Sequence, residues 1–204
     1  MRRVLLATSN PGKIRDFAGA AEGRAIEVSA IPDFSALPAV MEDGSTFAAN
    51  ARKKAEAYSR HAPDELVIAD DSGLEVDALG GAPGVHSARY AQTQPSSGVA
   101  NSDDQANNAK LLSEIRRVPN EKRTARFVCV IAAARNGHIL GEFEGHAEGL
   151  ILDQPRGIGG FGYDPLFYFP PLRKTFAELA PQEKAQYSHR GQAFSKFLDW
   201  YQQV

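Results

Sequence analysis

The apolar residues of this chain follow two different spacings, and each spacing predicts a set of elements. Short apolar runs predict buried strands at residues 4–7, 66–69 and 126–134. Apolar positions that recur every three or four residues predict helices at residues 13–21, 46–60, 102–115 and 193–201. A turn at Asn136 and Gly137 links the third apolar run to a β-rich stretch at residues 138–152, which predicts an antiparallel hairpin. We therefore expect an α/β fold whose mixed sheet is flanked by helices.

A capping box, formed by Ser102 and Gln105, is expected to open the third helix.

Many of the polar residues of the chain lie just after predicted strands. Ligand sites of α/β folds gather at such positions, so these polar clusters are the first candidates for a functional site.

Composition narrows the class of protein. With 204 residues, 43% of them hydrophobic, the chain is long enough for a single domain spanning residues 1–204, built as one body or as two closely apposed lobes. A formal charge of -2 offers no general attraction for a nucleic-acid polymer or an anionic membrane. The only cysteine, Cys129, has no partner for an internal disulfide, so we expect a reducing, cytoplasmic setting.

The loop after the first strand has the composition of an anion site. It offers hydroxyls, an amide, backbone N–H groups at a helix N-terminus and a lysine. Its residues are Thr8, Ser9, Asn10, Pro11, Gly12 and Lys13. The phosphate-binding pattern of P-loop proteins is absent, and the same residues also suit an ordinary capped turn from strand to helix, so both interpretations stay open.

Adjacent carboxylates follow the second predicted strand. Asp70 and Asp71 repel each other unless a cation or several donors neutralise them. Mg²⁺ would do so, with Glu42 as a further acidic ligand, because this ion takes one or two carboxylates and completes its shell with water and phosphate oxygens. The alternative is an acidic turn. Lys54 lies on the edge of the second helix. It has two interpretations, as a phosphate ligand or as a lysine that extends to solvent.

A third cluster lies near the C-terminus. Two aromatics and a carboxylate in a glycine-flanked segment, followed by several donors, suit a pocket for a flat heterocycle. These residues are Phe161, Gly162, Tyr163, Asp164, Lys184, Ser188, His189 and Arg190. Ordinary packing next to a solvated helix start is the competing interpretation.

Six ordered blocks tie these clusters together. They are T-x-N-x-x-K at 8–13, E-x-G-x-T-F-x-x-N-A-x-x-K-A at 42–55, DDSGL at 70–74, GG-x-PGV-x-SARY at 80–90, GFGYDP at 160–165 and SHRG at 188–191. In these blocks the chain resembles the inosine/xanthosine triphosphate pyrophosphatases, known as the Ham1-like family. The resemblance runs nearly end to end.

The resemblance implies a fold, an activity and an assembly. The fold would be an elongated mixed sheet with two lobes and a central active-site cleft. The activity would be Mg²⁺-dependent hydrolysis of ITP, dITP and XTP to the monophosphate and pyrophosphate, which removes these purine nucleotides from the nucleotide pool. Family members are usually homodimers, and the implied partner is a small nucleotide, neither a nucleic-acid polymer nor a membrane.

Site residues are carried over only where the motifs match. The resemblance implies that Asp71 accepts a proton from the attacking water and that Glu42 and Asp71 serve the metal, with Asp70 as an additional candidate ligand. It places residues 8–13 and Lys54 at the triphosphate. It implies that the other matched positions contact the nucleotide, namely Ser72, Phe161, Gly162, Tyr163, Asp164, Lys184, His189 and Arg190.

One departure from the family pattern lies near these positions. Asp16 stands where the family commonly has glutamate, and we expect the shorter side chain to alter the orientation of Lys13. Two other functions remain as alternatives. One is a Maf-like pyrophosphatase acting on modified pyrimidine or methylated guanine nucleotides, against which the His189-Arg190 pair argues. The other is a nucleotide sensor without catalytic activity, against which the intact acidic residues argue.

Overall fold

The computed structural model describes residues 2–92 and 103–203. Its strands are β1 (Arg2–Leu6), β2 (Ile26–Ala30), β3 (Leu66–Val76), β4 (Thr124–Arg135), β5 (His138–Ile151), β6 (Phe167–Phe169) and β7 (Lys174–Thr175). They form a seven-stranded sheet in the order β2-β1-β3-β4-β5-β6-β7. Strand β1 runs parallel to β2 and β3, whereas β6 is antiparallel to β5 and β7. The prediction of a mixed sheet is confirmed.

The helices are α1 (Pro11–Ala21), α2 (Phe47–Ser59), α3 (Asp104–Ile115), α4 (Pro181–Tyr187) and α5 (His189–Tyr201). The sequence pattern predicts neither α4 nor β2, since both are short and only partly buried. Helix α3 has Asp103 as its N-cap, and the side chain of this residue accepts a hydrogen bond from the backbone N–H of Gln105. The expected capping residue Ser102 lies outside the described residues.

The predicted turn between β4 and β5 has the geometry that its sequence favours. Asn136 and Gly137 have φ angles of 46° and 78°. Positive φ at both central residues of a two-residue loop is the signature of the hairpin turn that asparagine followed by glycine prefers. The backbone N–H of Gly137 also donates to the hydroxyl of Ser59, which ties the turn to the end of α2.

The chain divides into two compact units. The first contains residues 2–72, 129–146 and 181–203. In its core, side chains from β1, β3 and β4 pack with α1 and α5, including Leu6, Phe17, Ile68, Ile131 and Phe194. Cys129 belongs to this core, and burial raises the pKa of its thiol, so the residue has the properties of a small buried hydrophobic side chain.

The second unit contains residues 73–92, 103–128 and 147–180. Its centre is an aromatic cluster in which the ring of Phe167 lies 4.7 Å from that of Phe127 and 4.8 Å from that of Phe176. Such tilted and edge-to-face arrangements are the ones that aromatic rings prefer. The central cleft implied by the family resemblance stays a prediction.

In the described part of the chain, no helix is both long enough and apolar enough to cross a membrane.

Candidate active site

Strand β3 extends further than its apolar run predicts. The run ends at Ala69, but the strand continues to Val76, so Asp70 and Asp71 lie inside a strand. The alternative of an acidic turn is therefore wrong. Successive side chains of a strand point to opposite faces of the sheet, and this alternation separates the two carboxylates and gives them different neighbours.

Asp70 is held by cationic and hydroxyl groups. Its Oδ1 accepts a hydrogen bond from Lys13 Nζ at 3.0 Å, and its Oδ2 accepts one from Ser72 Oγ at 3.2 Å. The guanidinium of Arg190 lies 3.5 Å from the same Oδ2. Burial opposes the charge of this carboxylate, but Lys13, Arg190 and Lys54 outweigh it and hold the pKa of Asp70 well below its usual range.

Asp71 has a different environment on the other face of β3. Its Oδ2 accepts a hydrogen bond from the side-chain amide of Asn50 at 2.9 Å, and its Oδ1 lies 3.7 Å from Lys54 Nζ. Burial raises the pKa of this carboxyl group, and the nearby charge of Glu42 adds to the effect, although Lys54 and Lys13 oppose it. Two adjacent aspartates thus have pKa values shifted in opposite directions.

Helix α2 brings Lys54 to these carboxylates. The helix begins after Thr46, whose hydroxyl accepts a hydrogen bond from the backbone N–H of Ala49. Lys54 Nζ donates to Glu42 Oε2 at 3.0 Å. Burial opposes the charge of Lys54, but the carboxylates of Asp71, Glu42 and Asp70 outweigh it and raise the pKa of the lysine. Only 7% of Lys54 is exposed, so the alternative of a lysine extending to solvent is wrong.

The loop after β1 is a well-capped helix start. The side-chain oxygen of Asn10 accepts hydrogen bonds from the backbone N–H groups of Gly12 and Lys13, at 2.8 and 3.1 Å. Thr8 Oγ accepts one from the backbone N–H of Asn10. The interpretation as a capped turn is therefore confirmed. Phosphate binding by residues 8–13, Ser9 and Pro11 included, stays a prediction, and Lys13 is the residue of this loop that reaches Asp70.

Helices α4 and α5 and the residue between them contribute the remaining predicted site residues of the first unit. Lys184 lies in α4, and His189 and Arg190 form the first turn of α5, which Ser188 caps. Arg190 donates to Ser72 Oγ at 2.8 Å. Burial lowers the pKa of His189 well below its usual value, and the charges of Arg190 and Lys184 add to this effect, so the imidazole is neutral at pH 7.

Asp16 lies beside two cations of the last two helices. Its Oδ2 accepts a hydrogen bond from Arg190 at 2.7 Å, and its Oδ1 lies 3.7 Å from Lys184 Nζ. The expected influence of the shorter Asp16 side chain on the orientation of Lys13 stays a prediction. Asp16 is one helical turn beyond Lys13, and this turn directs its carboxylate toward α4 and α5.

The aromatic segment belongs to the second unit, where backbone contacts fix it. Asp164 Oδ2 accepts a hydrogen bond from the backbone N–H of Phe161 at 2.9 Å, and the hydroxyl of Tyr163 donates to the carbonyl of Ser87 at 2.9 Å. Helix α3 holds Gly162 through Asn108, which donates to the Gly162 carbonyl. These hydrogen bonds hold the loop in a defined conformation. Its contact with a nucleotide stays a prediction.

The acidic residues fit Mg²⁺ in their chemistry. Glu42 and Asp71 both face the ammonium group of Lys54, so two carboxylates converge on one position that already favours a cation. Residues 2–92 and 103–203 contain no group of three or more acidic, histidine or cysteine side chains that would hold a metal alone. Mg²⁺ does not require one, because it is typically bound by one or two carboxylates together with substrate phosphates.

Asn50 belongs to the sequence block at 42–55, which by itself assigns no role to this residue. It lies four residues before Lys54, so both side chains project from the same face of α2. That spacing was the available signal, and the structure shows that both side chains reach Asp71.

Comparison with known proteins agrees with these features. The profile of the Ham1 family matches residues 4–200. The chain belongs to the Ham1 family. A Ham1 protein from Coxiella burnetii, of known structure, superposes with a TM-score of 0.81 at 38% identity, with all of both chains covered. The Ham1 protein of Staphylococcus aureus gives 0.80 at 40% identity, with 99% of each chain covered.

Two curated relatives of this Ham1 family member carry the name dITP/XTP pyrophosphatase. The protein of Geobacillus kaustophilus is 50% identical over 204 residues, which is all of this chain and 96% of the relative. The Bacillus subtilis protein is 45% identical over 196 residues, covering 96% of this chain and 95% of the relative. The predicted family and fold class are both confirmed.

Proposed function

We propose that this protein is a dITP/XTP pyrophosphatase, which hydrolyses these purine nucleoside triphosphates, and ITP, to the monophosphate and pyrophosphate. The observation that carries the proposal is the buried set of charges around β3. There, Lys13, Lys54 and Arg190 surround two carboxylates whose pKa values are shifted in opposite directions. Burying so many charges is costly, and function is the usual reason for it. The names of the relatives support the same substrates.

In the proposed reaction, Asp71 is the catalytic residue. A water oxygen bonds to the α-phosphorus while the bond from this phosphorus to the pyrophosphate oxygen breaks, and Asp71 accepts the proton of the water. A raised carboxyl pKa suits a proton acceptor, because a base works best when its pKa approaches the working pH. The product pair is one nucleoside monophosphate and one pyrophosphate.

Glu42 and Asp71 are the residues that would hold Mg²⁺. The bound ion would neutralise negative charge on the phosphates and on the pyrophosphate leaving group. We assign Asp70 another task, as the anchor that fixes Lys13 and Arg190. Its Oδ1 accepts a hydrogen bond from Lys13, and its Oδ2, which accepts one from Ser72, lies 3.5 Å from the guanidinium of Arg190. Lys13 and Lys54 bring positive charge to the triphosphate.

Recognition of the base is assigned to α5. The guanidinium of Arg190 has donors only, and the neutral imidazole of His189 can donate one N–H, which suits the 6-oxo acceptor of hypoxanthine and xanthine. Adenine presents a 6-amino donor there, and a buried donor without an acceptor is strongly disfavoured. Phe161, Gly162, Tyr163 and Asp164 are proposed as further nucleotide contacts on the strength of their motif. A homodimer and a cytoplasmic location belong to the same proposal, in line with the family resemblance.

The test is a comparison of kcat/KM for dITP, XTP, ITP, GTP, ATP and dTTP with Mg²⁺, in which pyrophosphate and orthophosphate are measured separately. We expect release of pyrophosphate with a strong preference for dITP, ITP and XTP. Release of orthophosphate would contradict attack at the α-phosphorus. A preference for pyrimidine nucleotides would favour the Maf-like alternative, and tight binding without turnover would favour a sensor.

A further inference from the structure

Asn50 connects two parts of the candidate site. Its side-chain oxygen accepts a hydrogen bond from the backbone N–H of Gly44 at 2.8 Å, and its side-chain nitrogen donates to Asp71 Oδ2 at 2.9 Å. Gly44 lies in the short loop that carries Glu42. One amide thus joins this loop to the carboxylate of Asp71.

The neighbours of Asn50 fix the orientation of its amide group. A backbone N–H requires an acceptor and a carboxylate requires a donor, so a flipped amide would lose both hydrogen bonds. The residue is completely buried, which leaves no water to replace them. A Cβ on Gly44 would lie 2.6 Å from the side-chain oxygen of Asn50, so the loop approaches this amide as closely as a glycine permits.

Asp71 is thereby fixed at both oxygens. Asn50 holds Oδ2, while Oδ1 accepts a hydrogen bond from the backbone N–H of Ser72 at 3.1 Å and faces Lys54. Rotation of the carboxylate would leave the buried amide of Asn50 without its acceptor, which costs free energy. We propose that Asn50 is a positioning residue, which sets the orientation of Asp71 and its register with the loop of Glu42. This inference rests on the proposed function.

Two variants separate positioning from a purely structural role. Asn50→Asp keeps an acceptor for the N–H of Gly44 and, when ionised, removes the donor to Asp71. Asn50→Leu has a similar shape, removes both hydrogen bonds and adds no charge. If Asn50 positions Asp71, both variants lower kcat by about 100-fold, the cost of a small misplacement of a reacting group, with little change in KM. Wild-type binding of a non-hydrolysable dITP analogue in the absence of metal ions is expected for both.

Other roles of Asn50 predict different results. A loss of kcat in Asn50→Leu alone would mean that Asn50 only supports the Gly44 loop. A loss in Asn50→Asp alone would mean that the added charge is responsible. Wild-type kcat in both variants would also overturn the proposal. If Asn50→Leu fails to fold, Asn50→Ala, which also removes both hydrogen bonds and adds no charge, takes its place.

Asn107 provides a matched control. It is a buried asparagine on α3 whose side chain accepts a hydrogen bond from the backbone N–H of Ala91 and donates to the Ala88 carbonyl. Asn107→Asp is expected to lower the melting temperature and leave kcat unchanged. An equal loss of kcat in this variant would overturn the proposal, since any buried aspartate would then have the same effect.

A structural readout distinguishes this inference from the proposed function. In a crystal structure of Asn50→Leu, which adds no charge, we expect the carboxylate of Asp71 to have rotated away from its wild-type orientation. An unchanged orientation would overturn the inference even if the wild-type enzyme hydrolyses dITP. A wild-type protein without turnover, combined with a rotated carboxylate in the variant, would overturn the proposed function and leave the positioning role in place.

Discussion

Each unit of the protein contains an arginine surrounded by acidic groups, and the two clusters differ in burial. In the first unit, the side chain of Arg190 is 4% exposed and contacts Asp16 and Asp70. In the second, the side chain of Arg126 is 30% exposed and contacts Glu75, Asp77 and Glu148 at 3.6, 3.0 and 3.1 Å. The two arginines form similar numbers of ion pairs. Removing water from the charges costs more free energy at Arg190, because its side chain is more deeply buried.

This difference shows which cluster is a candidate for function. Surface ion pairs contribute little free energy and are common in proteins. Buried ionisable groups are costly to keep charged, and their pKa values shift away from the usual range, as Asp70 and His189 show. Burial therefore makes the cluster around β3 the candidate functional site, whereas the Arg126 cluster has the properties of a surface ion network.

The largest expected effect concerns Asp71. We expect Asp71→Asn to lower kcat for dITP by a factor of about 10² to 10⁴, the contribution of a general base, while the Kd of dITP changes little. Pyrophosphate release and equilibrium binding measure the two quantities. Asp77→Asn, at the exposed cluster, is the matched control and should retain wild-type kcat. Full activity of Asp71→Asn would disprove its role as the proton acceptor.

The next effect concerns stability. Arg190→Leu removes a buried cation and leaves Asp16 and Asp70 without it, so we expect the free energy of unfolding to fall by about 3–5 kcal/mol. Urea denaturation followed by circular dichroism measures this change. A loss below about 1 kcal/mol, the range of surface ion pairs, would show that the dehydration argument fails for this cluster.

The sequence predicted the regular elements of this fold better than the environment of its charges. Helices α1, α2 and α5 were predictable because their apolar residues follow the helical spacing, and the hairpin because asparagine and glycine favour its turn. Strand β3 was predicted too short, since aspartate, serine and glycine are typical of turns. Partners far along the chain neutralise these residues and allow the strand to continue.

The same reason explains the contacts that were not predicted at the site. The sequence motifs selected Lys13, Lys54 and Arg190, but they do not show which carboxylate each one meets. Lys13 and Asp70 are 57 positions apart, and Arg190 and Asp16 are 174 apart. Contacts over such separations depend on the packing of helices against the sheet. This is why neither the contact between Asp16 and Arg190 nor the link between Asn50 and Asp71 was predicted.

A smaller effect concerns pH. Since the native pKa of His189 is well below 6.5, the unfolded chain binds a proton below pH 6.5 that the native protein does not. The free energy of unfolding should therefore fall as the pH decreases, by about 1.4 kcal/mol per pH unit from this residue. His189→Gln should remove this part of the slope, and the same substitution at the exposed His138 is the control. An unchanged slope in His189→Gln would show that the native imidazole takes up the proton.

The smallest effect is expected at the exposed cluster. Arg126→Leu should lower the free energy of unfolding by at most about 1 kcal/mol, because water already solvates the charges that lose their partner. The loss should shrink further in 1 M NaCl, where the screening length falls to about 3 Å. The effect of Arg190→Leu should persist at this salt concentration, since buried pairs are screened much less. A large loss of unfolding free energy in Arg126→Leu that does not depend on salt would show that the two clusters are energetically alike. Burial would then not distinguish the candidate site from a surface ion network.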